Sequence, residues 1–162
     1  MLRESMNNLK RADLLIQNNK SEDVKLLSEL KQYGKEILIM RYKSEYFMDH
    51  KNSILKKENA GAVIFSGIAD DESFIQMIKS RGIKIREIMK FSDHHIYTDA
   101  EIGFLIKRYS EDIIFITTEK DFVKIKLFKD FVTKYPVYFL KMNAEMDNDS
   151  STLYSKLDAL IK

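Results

Sequence analysis

The strongest constraint on the fold is an alternation. Short apolar runs, Ala62 to Ser66 (AVIFS), Ile113 to Thr117 (IIFIT) and Pro136 to Leu140 (PVYFL), take turns with amphipathic stretches of helical spacing. Such a run, bounded by turn chemistry, suits a strand covered on both faces, which requires helices above and below it. Gly67-Ile68-Ala69 turns the chain after the first run, and Asp70 or Asp71 caps a helix that uses Phe74, Ile75, Met77 and Ile78. Arg81-Gly82 ends that helix, and IKIREIM alternates as a strand does. Thr98 and Glu101 form a capping box before a helix through Ile102, Leu105, Ile106 and Tyr109, and Thr118 with Asp121 is a second cap of the same design. Strand, helix, strand, helix, strand implies right-handed crossovers. The expected fold is α/β, a Rossmann-like three-layer sandwich with a mostly parallel sheet.

Before this block, Ala12 to Gln17 reads as a strand, with Asn18, Asn19 and Ser21 as turn or cap residues. A helix follows on Val24, Leu26, Leu27, Leu30 and Tyr33, closed by Gly34, and EILIMRY is the next strand. Residues 1–42 are therefore expected as an amino-terminal βαβ segment. Residues 43–59 are the least regular stretch and are expected as a linker or arm, with a short strand at Tyr46 to Met48. Residues 60–162 form the Rossmann-like domain, closed by an amphipathic helix carrying Leu153, Leu157, Leu160 and Ile161.

Composition narrows the function classes. Among 162 residues, 27 basic and 25 acidic side chains leave a net charge of +2, too balanced to argue for nucleic acid. The aromatic residues fall mostly in strand and helix-core positions, so they do not read as a base-stacking platform. The absence of cysteine excludes disulfides, a thiol nucleophile and thiolate metal sites. No run of roughly 18 apolar residues occurs, and MLRESMNNLKRADLL lacks the apolar core of a signal peptide. The chain is expected to be soluble, yet able to touch a membrane surface.

In parallel sheets, ligands collect beyond the carboxyl ends of the strands. Gly67, Asp93-His94-His95 and Thr117-Thr118-Glu119-Lys120 all follow strands and would gather on one rim. A histidine beside Asp93 can act as acid, base or proton shuttle; alternatively Asp93 caps the turn and the imidazoles bond to backbone. Asp93, His94, His95 and the pair Asp70-Asp71 could offer metal ligands, but adjacent residues rarely reach one ion and no helical His pair exists, so no metal site is assigned. Thr118, Glu119, Lys120 and Asp121 open a helix and suit an anion such as phosphate, though Thr-x-x-Asp is also an ordinary cap. Neither a G-x-x-x-x-G-K-[ST] nor a G-x-G-x-x-G motif is present.

Four blocks resemble, in order, the carboxyl-terminal part of the tetraacyldisaccharide 4'-kinases, which phosphorylate the lipid A precursor of Gram-negative bacteria with ATP. LRESMNNLKRAD is similar to the family's Leu-Arg-Glu segment and FSGIADDESF to its Gly-Ile-x-x-Pro-x-x-Phe block. FSDHHIYT resembles its Phe-Pro-Asp-His-His-x-Tyr-Thr motif, and TTEKDFVKI its Thr-Glu-Lys-Asp-Ala-Val-Lys motif. The likeness spans about Leu2 to Leu140. Asp71, Ser92 and Ile96 stand where the family commonly has proline, and Phe122 where it has a small residue.

The resemblance implies a carboxyl-terminal domain of an ATP-dependent lipid A disaccharide kinase, a transferase of lipopolysaccharide synthesis. The P-loop half that holds ATP and Mg2+ would be a missing amino-terminal partner, leaving this chain inactive alone and without a tightly bound cofactor. Asp93 and His94 would face the cleft between the halves, His94 orienting the catalytic aspartate of the other half, with His95, Tyr97 and Thr98 as supports. Thr118, Glu119, Lys120 and Asp121 would border the nucleotide. The implied location is the cytoplasm or the cytoplasmic face of the inner membrane, with the lipid A precursor as substrate and a peripheral membrane contact. Two rival readings are a non-catalytic interaction module of a split protein and a small metallohydrolase built on Asp93, His94, His95 and Asp70.

Overall fold

The computed structural model describes residues 5–19, 24–56, 60–146 and 151–161. The cap expected at Ser21 and the end of the stretch 43–59 lie outside them. The chain divides into two compact units, residues 44–142 and residues 1–43 with 143–162.

In the larger unit, β3 (Gly61–Ser66) is central, β4 (Lys84–Lys90) lies on one side of it and β5 (Ile113–Thr118) on the other, with β6 (Val137–Met146) beyond β5. All three pairings are parallel: Ala62 faces Ile85 and Ile114 across the ladders, and Phe115 faces Val137. Every residue of β3 is buried, whereas β4 alternates between half-buried and exposed positions as an edge strand should. Its outward Lys84, Arg86 and Lys90 give that edge a run of charge.

Successive strand residues point to opposite faces. Val63, Phe65, Ile113, Phe115, Val137 and Phe139 pack beneath three helices: α3 (Asp99–Ile106), α4 (Glu119–Ile125) and α5 (Lys129–Lys134). Ala62, Ile64, Ile114, Ile116 and Leu140 face the other way, against Phe74 and Ile78 of α2 (Asp71–Lys79). The result is the expected three-layer α/β arrangement. Phe65, Phe115 and Phe131 are fully buried and in ring contact, and each contributes about 1.5–3 kcal/mol by leaving water. The chain leaves β3 on the β4 side and returns on the β5 side. The covering helix changes face at that reversal, so a crevice opens between the carboxyl ends of β3 and β5.

Caps fix the helix starts. Asp70 accepts from the Ser73 N–H, Thr98 and Glu101 make a reciprocal box, and Thr118 accepts from the Asp121 N–H. The last cap differs from the expected design. Asp121 is one methylene shorter than Glu101 and does not reach back to the Thr118 N–H; its carboxylate turns inward instead. The stretch after β5 also breaks into two short helices, α4 and α5, separated by a turn at Lys126 to Phe128.

In the smaller unit, β1 (Leu15–Asn19) pairs in parallel with the first part of β2 (Ile37–Met48), Leu15 opposite Ile37. The helix between them covers Val24–Lys31, and Gly34 follows it at φ +61°, where glycine avoids the Cβ clash of the left-handed conformation. Leu15, Leu30 and Leu38 are buried, and a terminal helix covers Ser151–Ile161. This grouping differs from the expected division at residues 43–59. β2 continues through that boundary to Met48, past the polar Lys43-Ser44-Glu45, and ends on Phe47, which is buried, and Met48. A tight turn then follows, in which Asp49 Oδ1 accepts from the Lys51 and Ser53 N–H groups, both at 2.8 Å, and Ile54 bridges back to Met48.

Candidate functional site

Three loops meet at the carboxyl ends of β3, β4 and β5. Gly67 is their point of contact. A Cβ placed there would lie 3.0 Å from His95 Cβ, 3.0 Å from the Ser92 carbonyl oxygen and 3.3 Å from Asp121 Oδ1. Only glycine admits such an approach without displacement. The Gly67 N–H donates to Asp121 Oδ2 at 2.9 Å, and the same oxygen accepts from Thr118 Oγ1 at 2.7 Å. Asp121 is fully buried.

The Asp-His-His loop begins where the Phe91 N–H donates to the Ser66 carbonyl and turns through a bond from the His95 N–H to Ser92 O. His94 sits at φ +61°, a left-handed conformation costing roughly 1–2 kcal/mol for a residue with a Cβ. That conformation throws its imidazole outward, 76% exposed, while its N–H donates to Asp93 Oδ1 at 3.0 Å. Asp93 Oδ1 also receives the Lys120 ammonium at 3.2 Å, and Oδ2 lies 3.6 Å from His94 Nε2. The Lys120 hydrogen bond, opposed by partial desolvation and aided by His94, holds the Asp93 carboxyl below its ordinary value. Asp93 therefore stands on the rim as a charged carboxylate with an imidazole and an ammonium on either side.

His95 points the other way. Its ring stacks on Phe91 with centroids 4.7 Å apart, meets Tyr97 edge-on, and places Nε2 3.0 and 3.1 Å from the two Glu101 oxygens. Glu101 Oε2 also accepts from the Thr98 N–H and hydroxyl, both at 2.9 Å. Desolvation works against the Glu101 charge, but the hydrogen bonds from His95 and Thr98 prevail and lower its carboxyl. Tyr97 is buried against Phe65. Burial first, and the facing Asp121 carboxylate second, push its phenol well above the ordinary value, although its hydroxyl makes no hydrogen bond of standard geometry.

The remaining residues flank this centre. Glu119 accepts from Lys141 at 2.6 Å. Asp71 Oδ1 accepts from Ser66 Oγ at 2.6 Å and Oδ2 lies 3.8 Å from the Lys90 ammonium, while Asp70 is the helix cap. Asp93 and His94 pair with each other while Asp70 and His95 serve separate contacts, and among the described residues no group of three carboxylate or imidazole side chains is placed to hold a metal ion. Lys124 donates to the His95 carbonyl at 2.8 Å and lies 3.6 Å from Asp121 Oδ1. Sequence reading overlooked Lys124 and Ser66. Lys124 does sit three residues beyond Asp121, one helical turn on, which is the only local signal for their pairing. Phe122 packs its ring 4.5 Å from that of Phe139. A cleft of about 880 Å³ lies elsewhere, beside Ala60, Lys84 and Ile114 at the amino ends of the strands, and shares no residue with the rim.

A doubly wound α/β domain with its polar groups collected at the switch point is the class defined by this fold and rim. Within it, the sequence model of the tetraacyldisaccharide-1-P 4'-kinase family matches residues 1–162, and the chain belongs to that family. It is 29% identical to the tetraacyldisaccharide 4'-kinase of Elusimicrobium minutum over 98% of its own length and 46% of that protein. It is 32% identical to the tetraacyldisaccharide 4'-kinase of Chlorobaculum parvum over 76% of its own length and 36% of that protein. A crystal structure of LpxK from Aquifex aeolicus, described as an "apo" form in complex with ATP, superposes with a TM-score of 0.65 at 22% identity, over 99% of this chain and 46% of that one. That likeness establishes the shared fold. The chain spans about half the length of the relatives it matches or less. Among the described residues no helix is long and apolar enough to cross a membrane.

Proposed function

We propose that this chain is the carboxyl-terminal half of an ATP-dependent tetraacyldisaccharide 4'-kinase and forms one wall of the cleft in which the lipid A precursor is phosphorylated. The observation that carries this reading is the exposed Asp93–His94 pair on the rim, in a chain whose whole length matches the family. Phosphoryl transfer depends on positioning and charge stabilisation more than on covalent chemistry. The His94 imidazole, held outward beside a charged carboxylate, is placed to accept and orient a carboxylate brought by the other half, fixing it as the base for the sugar hydroxyl. His95, Tyr97 and Thr98 support the loop from within.

This chain's residues do not fit a triphosphate. Thr118 Oγ1 is bonded to Asp121, Glu119 to Lys141 and Lys120 to Asp93, so the groups expected to border the nucleotide are engaged with protein partners. ATP and Mg2+ are assigned to the P-loop half, and the chain alone is expected to be inactive. The site acts at the cytoplasmic face of the inner membrane, where the acylated substrate resides.

The test is reconstitution with a P-loop half taken from a family member, following ATP-dependent phosphate transfer to the tetraacyldisaccharide 1-phosphate by mass spectrometry. Turnover by the mixture, absent from either half and lost with His94→Ala, supports the proposal. A complex that forms but never turns over would favour the interaction-module reading. Full turnover with His94→Ala would remove the role given to His94.

A further inference from the structure

We propose that Asp121 and Lys124 act as positioning residues, a single buried node from which all three rim loops hang and which sets where His94 stands. The inference deepens the reading above and rests on it for its functional half. Each contact of the node goes to a different loop. Asp121 Oδ2 accepts from the Gly67 N–H after β3 and from Thr118 Oγ1 at the end of β5. Lys124 carries the connection to the third loop, donating to the His95 carbonyl at 2.8 Å while its ammonium lies 3.6 Å from Asp121 Oδ1. The carboxylate is fully buried and the lysine about three-quarters buried, so the pair is shielded from the solvent that weakens surface ion pairs.

The Asp-His-His loop needs this anchor more than a proline-rich loop would. Ser92 and Ile96 leave the backbone freer than proline at the same places, and Ile96 is 81% exposed. His94 is in a left-handed conformation that an untethered loop would relax. Lys120 holds Asp93 at the surface and Glu101 holds the His95 ring. The restraint that ties this loop to the other two from within is the bond at the His95 carbonyl, one residue beyond His94, which reaches through Lys124 to the same carboxylate that holds Gly67. Gly67 in turn touches His95 Cβ and Ser92 O closely enough to exclude a methyl group, so the loops are locked by contact as well as by charge. Both node residues lie within the Thr-Glu-Lys-Asp-Phe-Val-Lys stretch. That stretch therefore serves the interior of the rim, while its Lys120 serves the surface.

Hydrogen exchange on the 162-residue chain tests the node without requiring activity. Lys124→Met, which keeps the buried aliphatic stem, is expected to speed amide exchange about tenfold at Gly67, at His95 and at Asp121 together, leaving β3 and β5 interior amides unchanged. Lys124→Arg, able to reach the same carbonyl, is expected to restore much of the protection, and the isosteric Asp121→Asn to loosen the same three places. Faster exchange confined to the substituted residue's own loop would overturn the node. In the reconstituted enzyme, Lys124→Met should lower kcat about tenfold with the KM for ATP unchanged and Lys124→Arg should recover it. An unchanged kcat despite three loosened loops would overturn the positioning role. Failure of the wild-type halves to transfer phosphate would instead count against the kinase reading, and the exchange result would still decide the node.

Discussion

His94 and His95 are neighbours in sequence and opposites in structure. One is 76% exposed, left-handed and outward beside a charged carboxylate; the other is 20% exposed, stacked on Phe91 and bonded to Glu101. The difference arises from backbone geometry. A positive φ at His94 reverses the direction of its side chain relative to its neighbour, so one motif supplies both a surface group and the wedge that supports it. Adjacency in sequence therefore says little about shared chemistry, and a dipeptide of two titratable residues need not be a site of two.

Replacing the inner carboxylate should have the largest effect. Asp121→Ala leaves a buried Gly67 N–H without its acceptor and the Lys124 ammonium without its carboxylate, though still bonded to the His95 carbonyl, and is expected to cost about 3–5 kcal/mol in urea unfolding. A loss below 1 kcal/mol would place the support of the rim elsewhere. At the outer position the balance inverts: His94→Ala should reduce turnover of the reconstituted kinase about 100-fold while changing unfolding free energy by less than about 0.5 kcal/mol. Gly67→Ala, which drives a methyl group into His95 and Ser92, should cost about 1–3 kcal/mol. Smaller still, His94→Gly should stabilise the fold by up to about 1 kcal/mol by relieving the left-handed strain, measured as a shift in the urea midpoint at constant m.

The least of these effects concerns pH. The Glu101 carboxyl is lowered in the folded chain, so its stabilisation is present above the ordinary value of 4.5 and is lost as pH falls through the lower folded value. Glu101→Gln should be less stable than the parent near neutrality, by a few tenths of a kcal/mol after solvent screening, and the gap should close below pH 4.5. A gap that stays constant down to pH 3 would assign Glu101 a packing role only.

Much of the larger unit was legible in the sequence because its signals are local. Apolar runs marked β3 and β5, alternation marked β4, and the Thr98–Glu101 box marked the start of α3 to the residue, although the helix ends at Ile106 rather than running through Tyr109. The convergence of three strand-end loops was also inferable, since parallel topology puts all carboxyl ends on one side. What could not be read were the pairings across the rim. Lys120 with Asp93 and Gly67 with Asp121 join segments far apart in the chain, and nothing in either segment names its partner. The strand expected at Tyr46 to Met48 is present, but residues 43–45 were misjudged as a break because Lys43, Ser44 and Glu45 interrupt the apolar pattern within one strand that runs from Ile37 to Met48. The extent of β6, to Met146, was hidden for the same reason by Asn143 and Glu145.

The hydrogen bond from Gly67 to Asp121 spans 54 positions, and that interval is also a delay. During synthesis at about 5–20 residues per second, the glycine amide leaves the ribosome roughly 3–10 s before its acceptor exists. Until then the Gly67 amide has no carboxylate to donate to, and the tip of β3 is held only by the earlier bonds from Ser66 to Asp71 and from Phe91 to the Ser66 carbonyl. A nascent chain arrested before α4 emerges should accordingly be cut by protease near Gly67, and one released after α5 should resist.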